Sequence, residues 1–421
     1  MVVVGAGFGG LAVTKGLAKA PLDVVLIDRH NYHLFQPLLY QVSVAALPPG
    51  EIAYPVRSIF RRQRNVAFRV AEVTRIEPSR RVVVTTSGEI PYDRLVLASG
   101  AATNFFGLED VPRHGFDLKD LPGALRLRNH LIRCFEAAIT ASNPAERRSL
   151  LTIVVAGGGP TGVEVAGAVS ELLRRVLRRD YPALPASEVR VLLVESGPRV
   201  LLSMPEDLSG AAAKSLRRLG VTVRVGTVVD GYDGRLVRLR GGESIEGHTL
   251  VWAAGVRAGP LGATLGAPVD PTGRVPVAPT LQVEGHPQIY VIGDAALFRA
   301  GDADVPALCP PALQMGACAA RNIVRSLAGE PQEPFAYVNP GTMATIGRSA
   351  AVCEFRGLRL TGFPAWLVWL FVHLMQLVGF RNKLVVFIDW AWHYLFYRPA
   401  SPLILDVEEA PDRINSVSQR T

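Results

Sequence analysis

The sequence predicts an α/β fold: two doubly wound parallel-sheet domains on one plan, the second inserted in the first, followed by an amphipathic helical C-terminal region. Three observations carry this. The chain opens on strand, glycine turn and helix, with Val2, Val3 and Val4 running into Gly5-x-Gly7-x-x-Gly10 and then LAVTKGLAKA. The same device returns at Leu150, where LLTIVVAGGGPTGVE carries Gly157-x-Gly159-x-x-Gly162. Each copy is followed by an apolar strand ending in an acid, VVLI to Asp28 and VRVLLV to Glu195. One such glycine triplet is a weak signal, but two with matching strands and acids predict two Rossmann-like dinucleotide-binding units.

The residue types follow from the chemistry. A pyrophosphate must come within contact distance of the backbone, its charge lying on the N–H groups that open the helix, and a Cβ at the glycines would push it away. The acid at the tip of the second strand suits the ribose hydroxyls of the adenosine half. In the second copy the helix VAGAVSELLRRVLRRD is longer, which displaces Glu195 in sequence without changing its place at a strand end.

Between the two copies, RHNYHLFQPLLYQVSVAALPPGEIAYPVRSIF reads as an aromatic-rich loop and short helix broken by Pro37, Pro48 and Pro49. Tyr32, His33 and Phe35 are expected to pack in the core. The alternating stretch from Asn65 predicts a three-strand antiparallel insertion ending in the buried strand RLVLASG, with Val73 on a strand returning towards the adenine and Ala98-Ser99-Gly100 as a small-residue turn. A helix bearing Arg126, Arg128 and Arg133 leads to SNPAERRSLL, read as a polar linker. The second unit repeats the plan with a helix from about Glu206 to Leu219, three short strands and TLVWAAG, the counterpart of RLVLASG. Near Gly259 the chain returns to the first unit. There GHPQIYVIGDAA presents Asp294 at a strand end, where its carboxylate suits the ribityl hydroxyls of a flavin or caps the next helix.

Composition sets outer limits. At 421 residues the chain holds two or three domains with full cores. It is 49% hydrophobic with a mean hydropathy of +0.23, and its aromatics crowd towards the C terminus. The net charge of +8 is dispersed among acids rather than drawn into a nucleic-acid stripe. It fits either a solvated surface or attraction to an anionic membrane. Cys134, Cys309, Cys318 and Cys353 form no CxxC, which speaks against a metal site and against a redox disulfide, and they read as reduced cytosolic thiols. No signal peptide precedes the first strand; Met1 begins it, so the natural start is expected a few codons upstream.

Taken together, GAGFGG, NYHLFQPLLYQVSVAALPPGEIAYPVRSI, LVLASGAATNFFG, GGGPTGVEVAG, IYVIGDAA, a Gln-x-Gly helix and GFPAWLVWLFVHLMQLVGFRNKL…WAWHYL resemble the type II, non-proton-pumping NADH:quinone oxidoreductases over nearly the whole chain. The resemblance implies a single-subunit peripheral respiratory flavoenzyme on the cytoplasmic face of the cell membrane. FAD would sit on the first motif and NADH on the second. Its partners would be NADH, a membrane quinone and the membrane surface, with no nucleic acid and a homodimer left open. The implied domains are 1–111 and 259–345 for FAD, 112–258 for NADH and 346–421 for membrane anchoring.

By the same resemblance, Gly5, Gly7, Phe8, Gly9, Gly10, Asp28, Arg29, Val73, Ala98, Ser99, Gly100, Gly293, Asp294, Ala312, Leu313 and Lys383 fall on FAD positions. Gly157, Gly159, Pro160, Thr161, Gly162, Glu195, Ala254 and Gly255 fall on NADH positions. Glu164 matches an acid near the nicotinamide; a first-turn carboxylate favoured by the helix dipole explains it equally. Gln314 matches the second of two family glutamines, on a helix expected to begin after Pro311 and to aim one amide at the flavin edge. The first glutamine is replaced by Pro310, which offers no side-chain hydrogen bond. A sulfide:quinone oxidoreductase, which needs paired reactive cysteines, and an NADH-sensing flavoprotein acting through a partner are the alternatives.

The C-terminal region is expected to lie in the membrane surface rather than to span. Residues 363 to 380 are nearly all apolar, but His373 and Gln376 share a face, Arg381, Asn382 and Lys383 interrupt the run, and a second helix from Leu384 to Tyr397 is too short to return across the bilayer. Its polar residues are Asp389 and His393, and Trp366, Trp369, Trp390, Trp392 and Tyr394 are expected at headgroup level.

Overall fold

A computed structural model describes residues 1–185, 187–396 and 403–404 of the chain. Its first sheet has the order Gln282–Val283, His286–Val291, Leu95–Leu97, Val2–Val4, Val24–Asp28, Val66–Val70, parallel except for the first pair. The second sheet is wholly parallel: Phe116–Asp117, Thr249–Trp252, Thr152–Ala156, Arg190–Val194, Val221–Arg224. Apart from Gln282–Val283, which has no counterpart in the second sheet, the two correspond strand for strand, each glycine-turn strand central and flanked by its acid-tipped strand. Their near-continuous Val, Ile and Leu content is what a parallel strand covered on both faces requires.

The first unit carries the predicted antiparallel insertion, Val73–Glu77 with Val82–Thr85 and Gly88–Pro91, and the second carries a counterpart, Val229–Tyr232 with Leu236–Leu239 and Ser244–Glu246. The stretch 221–229, expected as one strand, divides between Val221–Arg224 of the parallel sheet and the start of that second insertion. The chain crosses between units twice, and the crossing strands Ala101–Thr103 and Val256–Ala258 pair antiparallel. The second unit is thereby an insertion into the first.

Three expectations change. Residues 144–150 are a helix, not a linker: the Asn143 side chain accepts from the Ala145 N–H at 2.9 Å, and Pro144 starts the turn. Residues 342–345 belong with the C-terminal unit, because Thr342–Thr345 pairs with Ala351–Phe355, which pairs with Leu358–Thr361. That small sheet leads into helices Gly362–Gln376 and Phe380–Phe396. The second helix starts before Leu384, so Arg381, Asn382 and Lys383 form its first turn instead of interrupting the run. No helix among the described residues is long and apolar enough to cross a membrane.

The first unit has its own core, around Val3, Leu26, Val96 and Tyr290. A second core runs from the inserted unit, through the helix Leu121–Thr140, to Trp366 and Trp369. The C-terminal helices are thus packed into the protein on one side.

Candidate functional site

The two glycine turns are superimposable in their constraints. Gly5 and Gly157 have φ of +100° and +106°, left-handed backbone that favours glycine. A Cβ on Gly10 would lie 1.8 Å from the Gly5 carbonyl oxygen, and one on Gly162 would lie 1.8 Å from that of Gly157. Those four glycines are required by the approach of helix to strand. Gly7 and Gly159 are different: a Cβ there would meet nothing within 4 Å. They are also the residues before helices Phe8–Gly16 and Pro160–Asp180, and neither helix has a side-chain cap. Bare, uncapped helix N-termini at side-chain-free positions fit a pyrophosphate.

The acids are held alike. Asp28 accepts from the Ala6 N–H at 2.7 Å and the His30 N–H at 2.8 Å. Glu195 accepts from Gly158 and Gly197 N–H groups, both at 2.5 Å, and from Ser196 Oγ at 3.1 Å. Each carboxylate is locked beside its own glycine turn with lone pairs to spare for ribose hydroxyls. Arg29 and Ala254 are exposed beside these acid and strand ends, and Gly255 lies where a Cβ would meet the Phe106 ring at 2.9 Å.

Around the first turn, helix Cys309–Leu327 lies directly on helix Phe8–Gly16: a Cβ on Gly316 would come 2.5 Å from the Gly9 carbonyl, and one on Gly9 would come 3.2 Å from that of Ala312. This brings Gly9, Ala312, Leu313, Gly293 and Asp294 to one end of the first sheet. The Ala98-Ser99-Gly100 turn joins them, and its Ser99 Oγ is buried without a partner. That orphaned hydroxyl, the bare Gly7 and the Asp294 carboxyl form a donor and acceptor set that fits FAD. Burial raises the Asp294 carboxyl, while the partly buried Lys119 ammonium acts on it in the opposite sense. Phe8 meets His33 and Phe35 edge-on, centroids 5.1 and 5.8 Å apart, and His33 Nδ1 is hydrogen-bonded to the Ala6 carbonyl at 2.9 Å. Val73 stands half-buried on the antiparallel insertion, against the same core.

Glu164, just inside the second-unit helix, faces the C-terminal region. It accepts a long hydrogen bond, 3.4 Å, from the Thr345 N–H, and the Trp369 indole lies against it. Burial pushes its carboxyl up to about 8. Tyr40 lies close enough to feel its charge, and the Tyr40 hydroxyl accepts from Gln41 Nε2 at 2.9 Å. Gln41 Oε1 in turn accepts from Trp390 Nε1 at 3.0 Å. Four separate stretches converge here: residues 35–41, the second-unit helix, strand Thr342–Thr345 and the C-terminal hairpin.

Three expectations are corrected. Helix 309–327 begins at Cys309, two residues ahead of Pro311 rather than after it, since proline is tolerated in a first turn that needs no N–H. The Gln314 amide is not free for the flavin edge: Nε2 donates to the Val338 carbonyl at 2.8 Å and Oε1 accepts from the Val338 N–H at 3.0 Å. Lys383 does not reach back to the first motif, because its ammonium donates to the Met375 carbonyl at 2.6 Å and so caps the preceding helix. The tryptophans also divide. Trp366 and Trp369 are 8% and 1% exposed, Trp390 is tied to Gln41, and Trp392 faces solvent. His373 turns inward, stacked on Trp369 at 4.2 Å and held neutral by burial, which pushes its imidazole down to about 4. Gln376 is exposed; the side chains of His393 and Tyr394 and the tail after Phe396 apart from 403–404 lie outside the described residues.

Sequence reasoning missed Tyr40, Gln41, Thr345 and Trp369. Tyr40 and Gln41 stand inside a resembling stretch yet carry no motif, and only packing brings them to Glu164.

Comparison with known proteins agrees with this geometry. Residues 1–316 match the family described as pyridine nucleotide-disulphide oxidoreductase, and residues 340–399 match the NDH2 C-terminal domain. The chain is 37% identical to the type II NADH:quinone oxidoreductase Ndh of Mycobacterium tuberculosis, over 96% of this chain and 90% of that protein. It is 39% identical to NdhA of the same organism, over 94% and 87%. The fold is similar to that of Plasmodium falciparum NDH2 solved in complex with NADH, with a TM-score of 0.86 at 20% identity, covering 95% of this chain and 99% of the other. With both glycine cradles, the C-terminal unit and near-complete coverage in agreement, the chain belongs to the type II NADH:quinone oxidoreductases.

Proposed function

We infer that this chain oxidises NADH through bound FAD and delivers two electrons to a quinone without pumping protons. The observation that carries this reading is the pair of matching glycine–acid cradles in one chain, with the C-terminal hairpin docked beside Glu164. The chemistry that bound FAD would supply is acceptance of a hydride and onward transfer of its two electrons. The chain supplies the rest. The first cradle orients the flavin, the second orients the nicotinamide, and the aromatic wall of Phe35, Tyr40 and Trp369 keeps water out. Glu164, protonated at neutral pH, holds a proton where quinone reduction consumes one. Both cradles lie within one chain, so no second copy is needed to complete the site.

The decisive experiment is anaerobic mixing. NADH is expected to bleach the flavin and a soluble quinone to restore it; bleaching with no reoxidation by quinone would favour the NADH-sensing alternative. A sulfide:quinone mechanism needs paired reactive cysteines, whereas here all four are unbridged and Cys134, Cys318 and Cys353 are buried.

NADH is expected over NADPH. Glu195 would repel a 2′-phosphate, and Arg199 cannot swing in to neutralise it, because its guanidinium donates to the carbonyls of Leu201, Leu202 and Met204 at 2.8–3.3 Å. Comparing kcat/KM for the two cofactors checks this, and parity would sink it.

The C-terminal hairpin is read as a monotopic membrane contact on the cytoplasmic side. Phe363, Leu367, Phe371 and Met375 recur every four residues along one exposed helix face, and Leu384, Phe387, Ile388 and Trp392 continue it on the next helix. The opposite face holds Trp366, Trp369 and His373 against the protein. Aliphatic and Phe side chains, with the one outward tryptophan, therefore enter the lipid, while the inward tryptophans build the wall of the site. Leu367→Ser combined with Phe371→Ser is expected to abolish sedimentation with vesicles while leaving reduction of a water-soluble quinone within about twofold, surface changes being mild for stability. A double variant that still pellets with vesicles contradicts this face.

A further inference from the structure

Resting on the membrane reading above, we propose that a second surface, the arginine ridge at residues 57–64, binds the headgroups of anionic phospholipids and selects the lipid class on which the apolar hairpin settles. From Ile52 to Ala71 the chain has five arginines and no acid. Arg57, Arg61, Arg62 and Arg64 are exposed, and no ion pair joins Arg61, Arg62 or Arg64 to a described carboxylate. Elsewhere on this surface exposed arginines are commonly paired, as Arg80 is with Glu77 and Glu89 and Arg224 with Glu243. An unpaired cluster that survives without counter-ions of its own is complementary to a layer of phosphates.

The ridge is built, not loose. Gln63 Nε2 donates to the Thr14 carbonyl at 2.8 Å, and Asn65 Nδ2 donates to the carbonyls of Leu17 and Leu22 at 2.9 and 3.1 Å. These two amides satisfy the carbonyls left open beyond the end of helix Phe8–Gly16. With Gln63 and Asn65 turned inward, the alternate residues Arg62 and Arg64 face out. Arg57 is braced over the Phe68 ring, 5.4 Å from its centroid.

The segment that leads into the ridge touches the hairpin. Asn382 Nδ2, in the first turn of the second C-terminal helix, donates to the Glu51 carbonyl at 3.2 Å, and Gly379 is packed so closely on Tyr54 that a Cβ would meet its ring at 2.8 Å. Arg57 follows Tyr54 by three residues, and exposed Arg381 stands on the hairpin side of the same junction. Apolar side chains on the hairpin and guanidinium groups on the ridge then provide the two signals that stable but reversible membrane attachment needs.

The test uses the full FAD-loaded chain with vesicles of phosphatidylcholine alone or with added phosphatidylglycerol. Wild type is expected to partition more strongly onto the anionic vesicles, with the excess falling as salt rises. The triple variant Arg61→Gln, Arg62→Gln, Arg64→Gln is expected to lose roughly 100-fold of that affinity, to keep its residual binding to phosphatidylcholine, and to reduce a soluble quinone as wild type does. Equal binding of wild type to both vesicles, or unchanged anionic binding by the variant, overturns the ridge alone. A wild type that binds neither vesicle overturns the membrane reading beneath it. If the variant loses affinity for a soluble polyanion such as heparin but not for anionic vesicles, the ridge serves a macromolecular partner and the lipid assignment falls.

Discussion

Gly162→Ala is expected to give a yellow, flavin-loaded protein that uses NADH poorly, whereas Gly10→Ala is expected to purify largely colourless. The added methyl is the same in both and so is the clash, 1.8 Å from the carbonyl oxygen of Gly157 or Gly5. Neither can be relieved by a rotamer change, because the obstacle is backbone; the helix must lift from its strand. What differs is which cradle opens. Around Gly10, helix Phe8–Gly16 is also wedged against helix Cys309–Leu327 through Gly9 and Gly316, so the shift spreads through the whole flavin end of the first core. Around Gly162 the shift runs into the core that the inserted unit shares with the C-terminal helices, which is distinct from the core at the flavin end. A misplacement of about 1 Å at a site that works by orientation costs on the order of 100-fold in kcat/KM for NADH. Flavin absorbance of the purified proteins and steady-state kinetics decide the matter. Full flavin in Gly10→Ala, or unchanged NADH kinetics in Gly162→Ala, would refute the assignment of the two cradles.

Glu164→Gln should slow reoxidation of the flavin by quinone by roughly 100-fold, the lower range for a lost proton donor, while reduction by NADH changes far less. The side chain keeps its shape and its acceptor for the Thr345 N–H but holds no transferable proton. The wild-type quinone half-reaction is expected to fall off above pH 8, as Glu164 ionises, and the variant to lose that limb. Stability gives an independent reading. The carboxyl titrates near 4.5 when unfolded and at about 8 when folded. Between those values the native chain keeps a proton that the unfolded chain has released, so stability declines with rising pH, by up to about 1.4 kcal/mol per unit. Above pH 8 both forms are ionised and the decline stops. The variant has no such slope, so its advantage over wild type should grow from pH 5 to 8. Stopped-flow half-reactions and denaturation at several pH values test the two halves separately. Parallel pH–stability curves would show that Glu164 is not a buried acid.

The corrected residues share a cause. The resemblance points Gln314 and Lys383 at the flavin and helix position points the tryptophans at the headgroups, yet each ends where a neighbouring segment offers a better contact. The Gln314 amide closes two hydrogen bonds with Val338, and Lys383 neutralises the open carbonyl end of the preceding helix. Pro310 agrees with this arrangement: in the first turn of helix 309–327 it supplies no donor, and Gln314, one turn on, is committed elsewhere.

Legible in the chain alone were both glycine turns with their acid-tipped strands, the insertion of one unit in the other and the antiparallel excursion of the first. These are local: glycine is demanded by positive φ and by backbone contact within ten residues, and a parallel strand announces itself by unbroken apolar content. Tertiary structure alone decided what surrounds Glu164. Tyr40 and Gln41 lie far along the chain from Thr345, Trp369 and Trp390, with Gln41 and Trp390 349 residues apart, and no periodicity links them. It also decided which side of the C-terminal helices faces outward. Both faces of Gly362–Gln376 are apolar, so hydrophobic pattern cannot tell a face that packs on protein from one left for lipid. Only the shape of the docking surface, with Trp369 buried and Phe371 65% exposed, separates them.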